Sequence, residues 1–319
     1  MKKLLTSMIC LIFLLSGCGL IVRNIPDYVS VKDYDGRFIG DHTKRNDKFL
    51  DRYKKDAEKI YKDRVKNLYG RDVKITLTYP YSWRENMKEI TSDPRIMVIG
   101  TVDYDIPFQQ CMSFKLKNEK SKNLVPADKD NWTPAITAMI YKRYETDFES
   151  ARLKFKKEVE SEGYFPMNKE LRKRQNCGGV SKQYLNFYLT GYNESDALNN
   201  SSELDDYKFK YRSMMNMKGV EFKKEIDELM KKNPELTMQT DFISYYKNKK
   251  EDNVKKYAWN IQEPTNETMS KVLGYKQMFF IKDKVSAENF VDDGRILTGS
   301  GYVDMEGGTL KNNEFHKIE

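Results

Sequence analysis

The sequence predicts an α+β fold, an antiparallel sheet with helices packed on it, behind an N-terminal signal segment. Three observations predict it. Asn46–Tyr69 carries apolar residues at helical spacing, three stretches with strand character come next in succession, and a second helical stripe begins at Thr133.

The chain opens with Lys2 and Lys3, runs apolar from Leu4 to Leu15, and turns polar soon after Val22. A basic start, a short apolar run and small residues at its end are the organisation of a secretory signal. The run falls short of the ~20 apolar residues that a spanning helix needs, and no later segment reaches that length. Its end, Leu15-Ser16-Gly17-Cys18, resembles the lipobox of bacterial lipoproteins. In that family the cysteine thiol receives a diacylglyceryl group and the signal is cut just before it. The residue types suit this chemistry: a thiol is a sulfur nucleophile, and Ser16 and Gly17 leave room for a peptidase. Two acyl chains hold stably where one is marginal, at about 0.8 kcal/mol per buried CH₂. The expectation is a chain anchored through Cys18 on the extracytoplasmic face of the cell membrane.

Charged residues make up 33% of the 319-residue chain and aromatics 13%, which argues for a folded body rather than disorder. Removing residues 1–17 takes away Lys2 and Lys3 and no acid, so the net charge falls from +8 to +6. Acids interleave with the basic residues along the chain. That pattern gives a solvated surface and argues against a nucleic-acid partner; anionic headgroups or envelope polymers are the sharper alternative. Cys10 leaves with the signal and Cys18 takes lipid, so Cys111 and Cys177 remain. Outside the membrane they can form one disulfide, stabilising by roughly 4 kcal/mol on the chain-entropy model, or stay as two thiols.

Along the chain, Tyr28–Val31 alternates as a short strand close to the anchor, with no flexible stalk before it. Asn46–Tyr69 places Phe49/Leu50, Tyr53, Ala57, Ile60/Tyr61, Val65 and Leu68/Tyr69 at three-to-four spacing on one helical face, and Gly70 stops it. Val73–Tyr79 is a strand, Trp83–Pro94 a polar connection, and Arg95–Asp105 and Cys111–Lys117 two further strands. Thr133-Pro134 opens the longest helix, whose stripe of Ile136, Ile140, Tyr144, Phe148, Ala151, Phe155 and Val159 stops near Gly163. Tyr184–Leu189 fits strand or helix, Gly219–Lys232 a short helix, and Tyr275–Asp283 a strand. The Gly-rich tail from Asp292 reads as irregular. The polar stretch Asn193–Asp206 is the best boundary or hinge. The division is then a signal peptide at 1–17, an anchor-proximal segment at 18–45, an α+β domain at 46–192, and a C-terminal α+β region at 207–319 that can belong to the same domain.

The lipobox, YVSVKDYDGRFIG after it, the Lys-rich helix beyond that and the long helix ITAMIYKRYETDFESARLKFKKEVES together resemble the Gram-positive, staphylococcal-type lipoproteins grouped as domain of unknown function 1672. The resemblance covers most of the chain beyond the signal. It implies a membrane lipoprotein and brings no catalytic residues with it.

Chemistry-bearing motifs are sparse. His42 and His316 stand alone, without the spacing of a zinc site. No phosphate-binding loop, dinucleotide fingerprint or nucleophile elbow occurs. Gln175-Asn176-Cys177-Gly178-Gly179 has a nucleophile-like cysteine, but its surroundings fit a glycine turn better. Asp33-Tyr34-Asp35-Gly36 lacks the calcium-loop spacing. The expectation is a surface lipoprotein without catalysis, cofactor or metal, whose partner is an anionic envelope polymer or a protein. The alternative is a solute receptor of an uptake system, which would need two lobes of repeated strand–helix units.

Overall fold

Thr43 starts the first helix. Its hydroxyl accepts the Asn46 backbone N–H at 3.2 Å, and Gly70, at φ 67°, closes the other end by donating to the Lys66 carbonyl at 2.8 Å. The computed structural model describes residues 28–36, 39–83, 93–118, 121–127, 130–175, 178–190, 204–233, 236–261, 275–286, 301–306 and 309–317. Between its caps, α1 (Lys44–Tyr69) buries Phe49, Tyr53, Ala57, Tyr61, Val65 and Leu68 in the stripe that the periodicity marked. That stripe covers one face of an antiparallel four-stranded sheet of β2 (Val73–Trp83), β3 (Asp93–Val102), β4 (Phe108–Leu116) and β5 (Leu124–Pro126), in that order. The polar connection is shorter than expected, since Trp83, Asp93 and Pro94 lie within strands; residues 84–92 lie outside those described.

The stripe from Ile136 to Val159 belongs to two helices, not one. α2 (Thr133–Arg143) and α3 (Glu145–Ser161) meet at Tyr144, whose φ of −117° leaves the helical range. The spacing carries across the break because the Tyr144 N–H still reaches the Ile140 carbonyl and the Phe148 N–H reaches the Tyr144 carbonyl. α2 is buried from Thr133 to Tyr141, whereas α3 buries only Phe148, Ala151, Phe155 and Val159. The bend lets the first sit inside the body and the second run along its surface.

After α4 (Lys169–Gln175), the chain builds a second sheet. β6 (Val180–Lys182) and β7 (Leu185–Thr190) form a hairpin; α5 (Leu204–Asn216) and α6 (Gly219–Lys232) come after it; then come β8 (Thr237–Tyr246), α7 (Glu251–Asn260) and β9 (Tyr275–Lys282). β11 (Gly301–Glu306) and β12 (Thr309–Lys317) complete a six-stranded sheet in the order β12-β11-β9-β8-β7-β6. It is antiparallel except for β8 and β9, which are parallel and joined through α7. The tail, expected to be irregular, supplies two of its strands. Tyr184–Leu189 resolves as strand. The proposed hinge falls between β7 and β8, which pair along Leu185–Thr190, so regions 46–192 and 207–319 share one sheet. Of that hinge, 193–203 lie outside the described residues and 204–206 begin α5.

Two cores result. In the larger, Phe148, Phe155, Phe187, Phe242 and Phe280 join α3 to one face of the six-stranded sheet, continuous with the core under α1. The smaller lies where both sheets meet: Tyr79 and Ile99 come from one, Ile243, Tyr245, Phe279 and Ile281 from the other, and Met167 and Leu171 from around α4. Val31, Tyr34 and Ile39 of the anchor-proximal segment complete it. No helix among the described residues is long and apolar enough to cross a membrane.

Candidate functional site

Leu15, Ser16, Gly17, Cys18 and Cys177 lie outside the described residues. Cys111 sits half-buried on β4 and is disulfide-bonded. Two residues before it, the Gln109 N–H donates to the Gly179 carbonyl at 3.5 Å, so the chain just beyond Cys177 runs beside the start of β4. His42 is a fastening rather than a ligand: Nδ1 lies 2.8 Å from Asp47 Oδ1, and Nε2 lies 2.9 Å from the Ile39 carbonyl. His316 falls on β12, opposite Tyr302 of β11. In Asp33–Gly36 the acids face solvent and Tyr34 is buried, as in an ordinary turn.

The anchor-proximal segment is sewn to the body at one end of the six-stranded sheet. β1 (Tyr28–Val29) pairs with β10 (Val285–Ser286). Asp283, whose side chain is 5% exposed, accepts from the Ser30 hydroxyl at 2.8 Å and the Val31 N–H at 2.7 Å, with Lys247 Nζ at 3.8 Å. Asn168 donates to the Val31 and Tyr34 carbonyls and accepts the Leu171 N–H, so one side chain ties this segment to the first turn of α4. Outside, Lys284 lies over the Tyr28 ring at 3.8 Å. These bonds are part-buried, and the Asp283 carboxylate they satisfy is almost wholly covered, so breaking them is costly and the N-terminal segment is held against the end of β9, β10 and α4.

A second polar constellation crosses the six-stranded sheet. The register aligns Ser181, Asn186, Asp241 and Gln277 on four neighbouring strands. Tyr188 Oη donates to Asp241 Oδ2 at 2.7 Å, and Gln239 Nε2 donates to Asp241 Oδ1 and to Gln277 Oε1, both at 2.9 Å. Ser181 Oγ meets Asn186 Oδ1 at 2.8 Å. Asp241 is only 7% exposed. A bonded polar seam fixes strand register, because a one-residue slip would break the whole row.

A third set joins α2 and α3 to their neighbours. Arg143 and Tyr144 both donate to Asp227 of α6, and Tyr141 and Arg152 both donate to Glu149. Burial raises both carboxyls, but the arginine and tyrosine hydrogen bonds outweigh it and leave Asp227 and Glu149 below their ordinary range. Asp105 is lowered chiefly by its hydrogen bond from Lys142. A carboxyl lowered on folding adds stability above its unfolded pKa and loses it as pH falls through the folded value. Melting temperature should therefore hold between pH 6 and 8 and fall below about pH 4. Asp227→Asn should flatten part of that acid limb, as read by melts across pH.

These features define the class: an α+β protein of two packed sheets, with its N-terminal segment fastened into the core. The chain superposes on the crystal structure of a DUF1672 family protein from Staphylococcus aureus subsp. aureus Mu50 with a TM-score of 0.61 at 12% identity, covering 90% of this chain and 100% of that one. The fold is therefore that of a solved protein from the family that the sequence resembles. A DUF5037 family protein from Ruminococcus gnavus ATCC 29149 aligns over 80% of this chain and 92% of its own at 11% identity, with a TM-score of only 0.29. No protein-family model and no curated protein matches the chain.

Proposed function

We propose that this chain is a lipid-anchored protein of the extracytoplasmic membrane face, whose folded body works by contact with an envelope polymer or protein and performs no catalysis. One observation carries the reading: Leu15-Ser16-Gly17-Cys18 ends an apolar leader only ten residues before Tyr28, where the fastened segment begins. Ten residues reach at most ~35 Å, so the β1–β10 end of the body would stay close to the bilayer. The arginine-held Asp227 and Glu149 support contact over chemistry, since carboxyls lowered by ion pairing are weak bases at neutral pH.

Expression of wild type and Cys18→Ala in a Gram-positive host tests this. Wild type should fractionate with membranes as a chain lacking residues 1–17, and Cys18→Ala should accumulate as the longer precursor. Identical size and location for the two chains would refute the anchor.

A further inference from the structure

Phe209 on α5 and Val220 on α6 are the most exposed large apolar side chains among the described residues, at 79% and 84%. Phe209 stands two residues before buried Tyr211, and Val220 two before buried Phe222, so each points about 200° round its helix from the buried side. Both helices lean on α2, which lies inside the body. Trp132, just before the first turn of α2, meets Tyr211 at 5.3 Å between ring centres, and Lys142 in its last turn lies 4.3 Å from the Phe222 ring centre. The outward faces of α5 and α6 therefore belong to one side of the molecule.

That side is basic. Across residues 208–224, Lys208, Lys210, Arg212, Lys218, Lys223 and Lys224 stand against Glu221 alone. Lys210, Lys218, Lys223 and Lys224 are exposed, and of these only Lys224 forms an ion pair among the described residues, with Glu228 at 3.9 Å. The nearby Asp105 is already held by Lys142 at 2.8 Å, and Lys218 and Arg71 act on it as well. Positive charge around isolated apolar tips matches an anionic headgroup layer, where lysines meet phosphates and the tips enter the acyl boundary. Two single side chains are too little apolar surface for the core of a protein interface.

The anchor brings this side within reach of such a layer. Arg212 donates to the Leu68 carbonyl at 3.0 Å, so α5 crosses the C-terminal end of α1. The anchor-proximal segment enters at the other end of α1, through Ile39 and Thr43. The 26 residues of α1 span about 39 Å, and the ten residues between Cys18 and Tyr28 reach at most ~35 Å. A body with α1 laid along the bilayer puts both ends on it.

We propose that the α5–α6 side, through Phe209, Val220 and the lysines around them, docks on the anionic bilayer that holds the anchor, so that the body lies along the membrane instead of standing on its tether. The proposal rests on the anchored reading and adds to it a surface, an orientation and a lipid charge.

The test uses the full lipidated chain, extracted from a Gram-positive host and reconstituted into vesicles of phosphatidylcholine alone or with phosphatidylglycerol. Phe209→Trp and Val220→Trp, each read as a difference from wild type, should both shift emission to the blue and be quenched by bromine-labelled acyl chains in the phosphatidylglycerol vesicles, and neither should in phosphatidylcholine alone. Each lysine near an anionic surface favours docking about fivefold, so adding Lys218→Glu and Lys223→Glu should abolish both signals. A chain that stays with both vesicles but shows no shift would overturn the docking side and leave the anchor standing. A chain that leaves both vesicles would remove the anchor, and the proposal with it. A shift at one position only, an equal shift without phosphatidylglycerol, or a shift caused by added poly(glycerol phosphate) and not by phosphatidylglycerol would also overturn the proposal, the last in favour of an envelope polymer.

Discussion

Gly40→Ala should lower stability by about 3 kcal/mol, read as a fall in the denaturation midpoint with an unchanged slope. Gly40 has φ 112°, a conformation that a side chain strains, and a Cβ there would stand 2.5 Å from the Pro80 carbonyl oxygen. That oxygen already accepts the Asp41 N–H at 2.9 Å. The obstacle is backbone, so it cannot swing aside as a side chain would. Movement would also disturb the first turn of α1, because Asn46 Nδ2 reaches both the Asp41 carbonyl at 2.9 Å and Ser82 Oγ at 2.8 Å. The start of α1 and the end of β2 are held through this one close approach. A variant as stable as wild type would show that the approach is not tight.

Phe155→Ala should cost about 3–5 kcal/mol. The ring is 1% exposed and packs against Phe242 at 5.2 Å and Phe280 at 6.3 Å between centroids, as well as Tyr184 at 6.2 Å. It joins α3, from the first half of the chain, to β8 and β9 of the second. Because both halves share a sheet and a core, the loss should appear as one cooperative transition at a lower midpoint. Two separated transitions, with only one displaced, would mean that 46–192 and 207–319 fold as separate units.

The legible parts of the fold are those whose signal is local. α1 was readable because a single face is buried along its full length, and β3 and β4 because they are rich in branched and aromatic residues. β8 was not readable. Met238, Thr240 and Phe242 alternate with Gln239 and Asp241, but both sets are wholly or largely covered, so the alternation marks no solvent face. β11 and β12 hid behind turn-forming composition, since their pairing with β9 and with each other is not written in their own residues. The break at Tyr144 was invisible because helical spacing continues through it.

The same division runs through the sites. The lipobox is contiguous and could be read outright. The polar seam joins Tyr188 to Asp241, 53 residues apart, and Gln239 to Gln277, 38 apart. Gln109 and Arg172 are 63 residues apart and each looks like an ordinary surface residue in sequence. Only the fold brings them together, through the bond from Gln109 Nε2 to the Arg172 carbonyl.

The central claim is the anchor. Its most direct measurement is the intact mass of the chain extracted from the membranes of a Gram-positive host. The account predicts a polypeptide beginning at Cys18 with the added mass of a diacylglyceryl group, borne by the N-terminal peptide. A chain that still carries residues 1–17, with an unmodified Cys18 thiol, would contradict it.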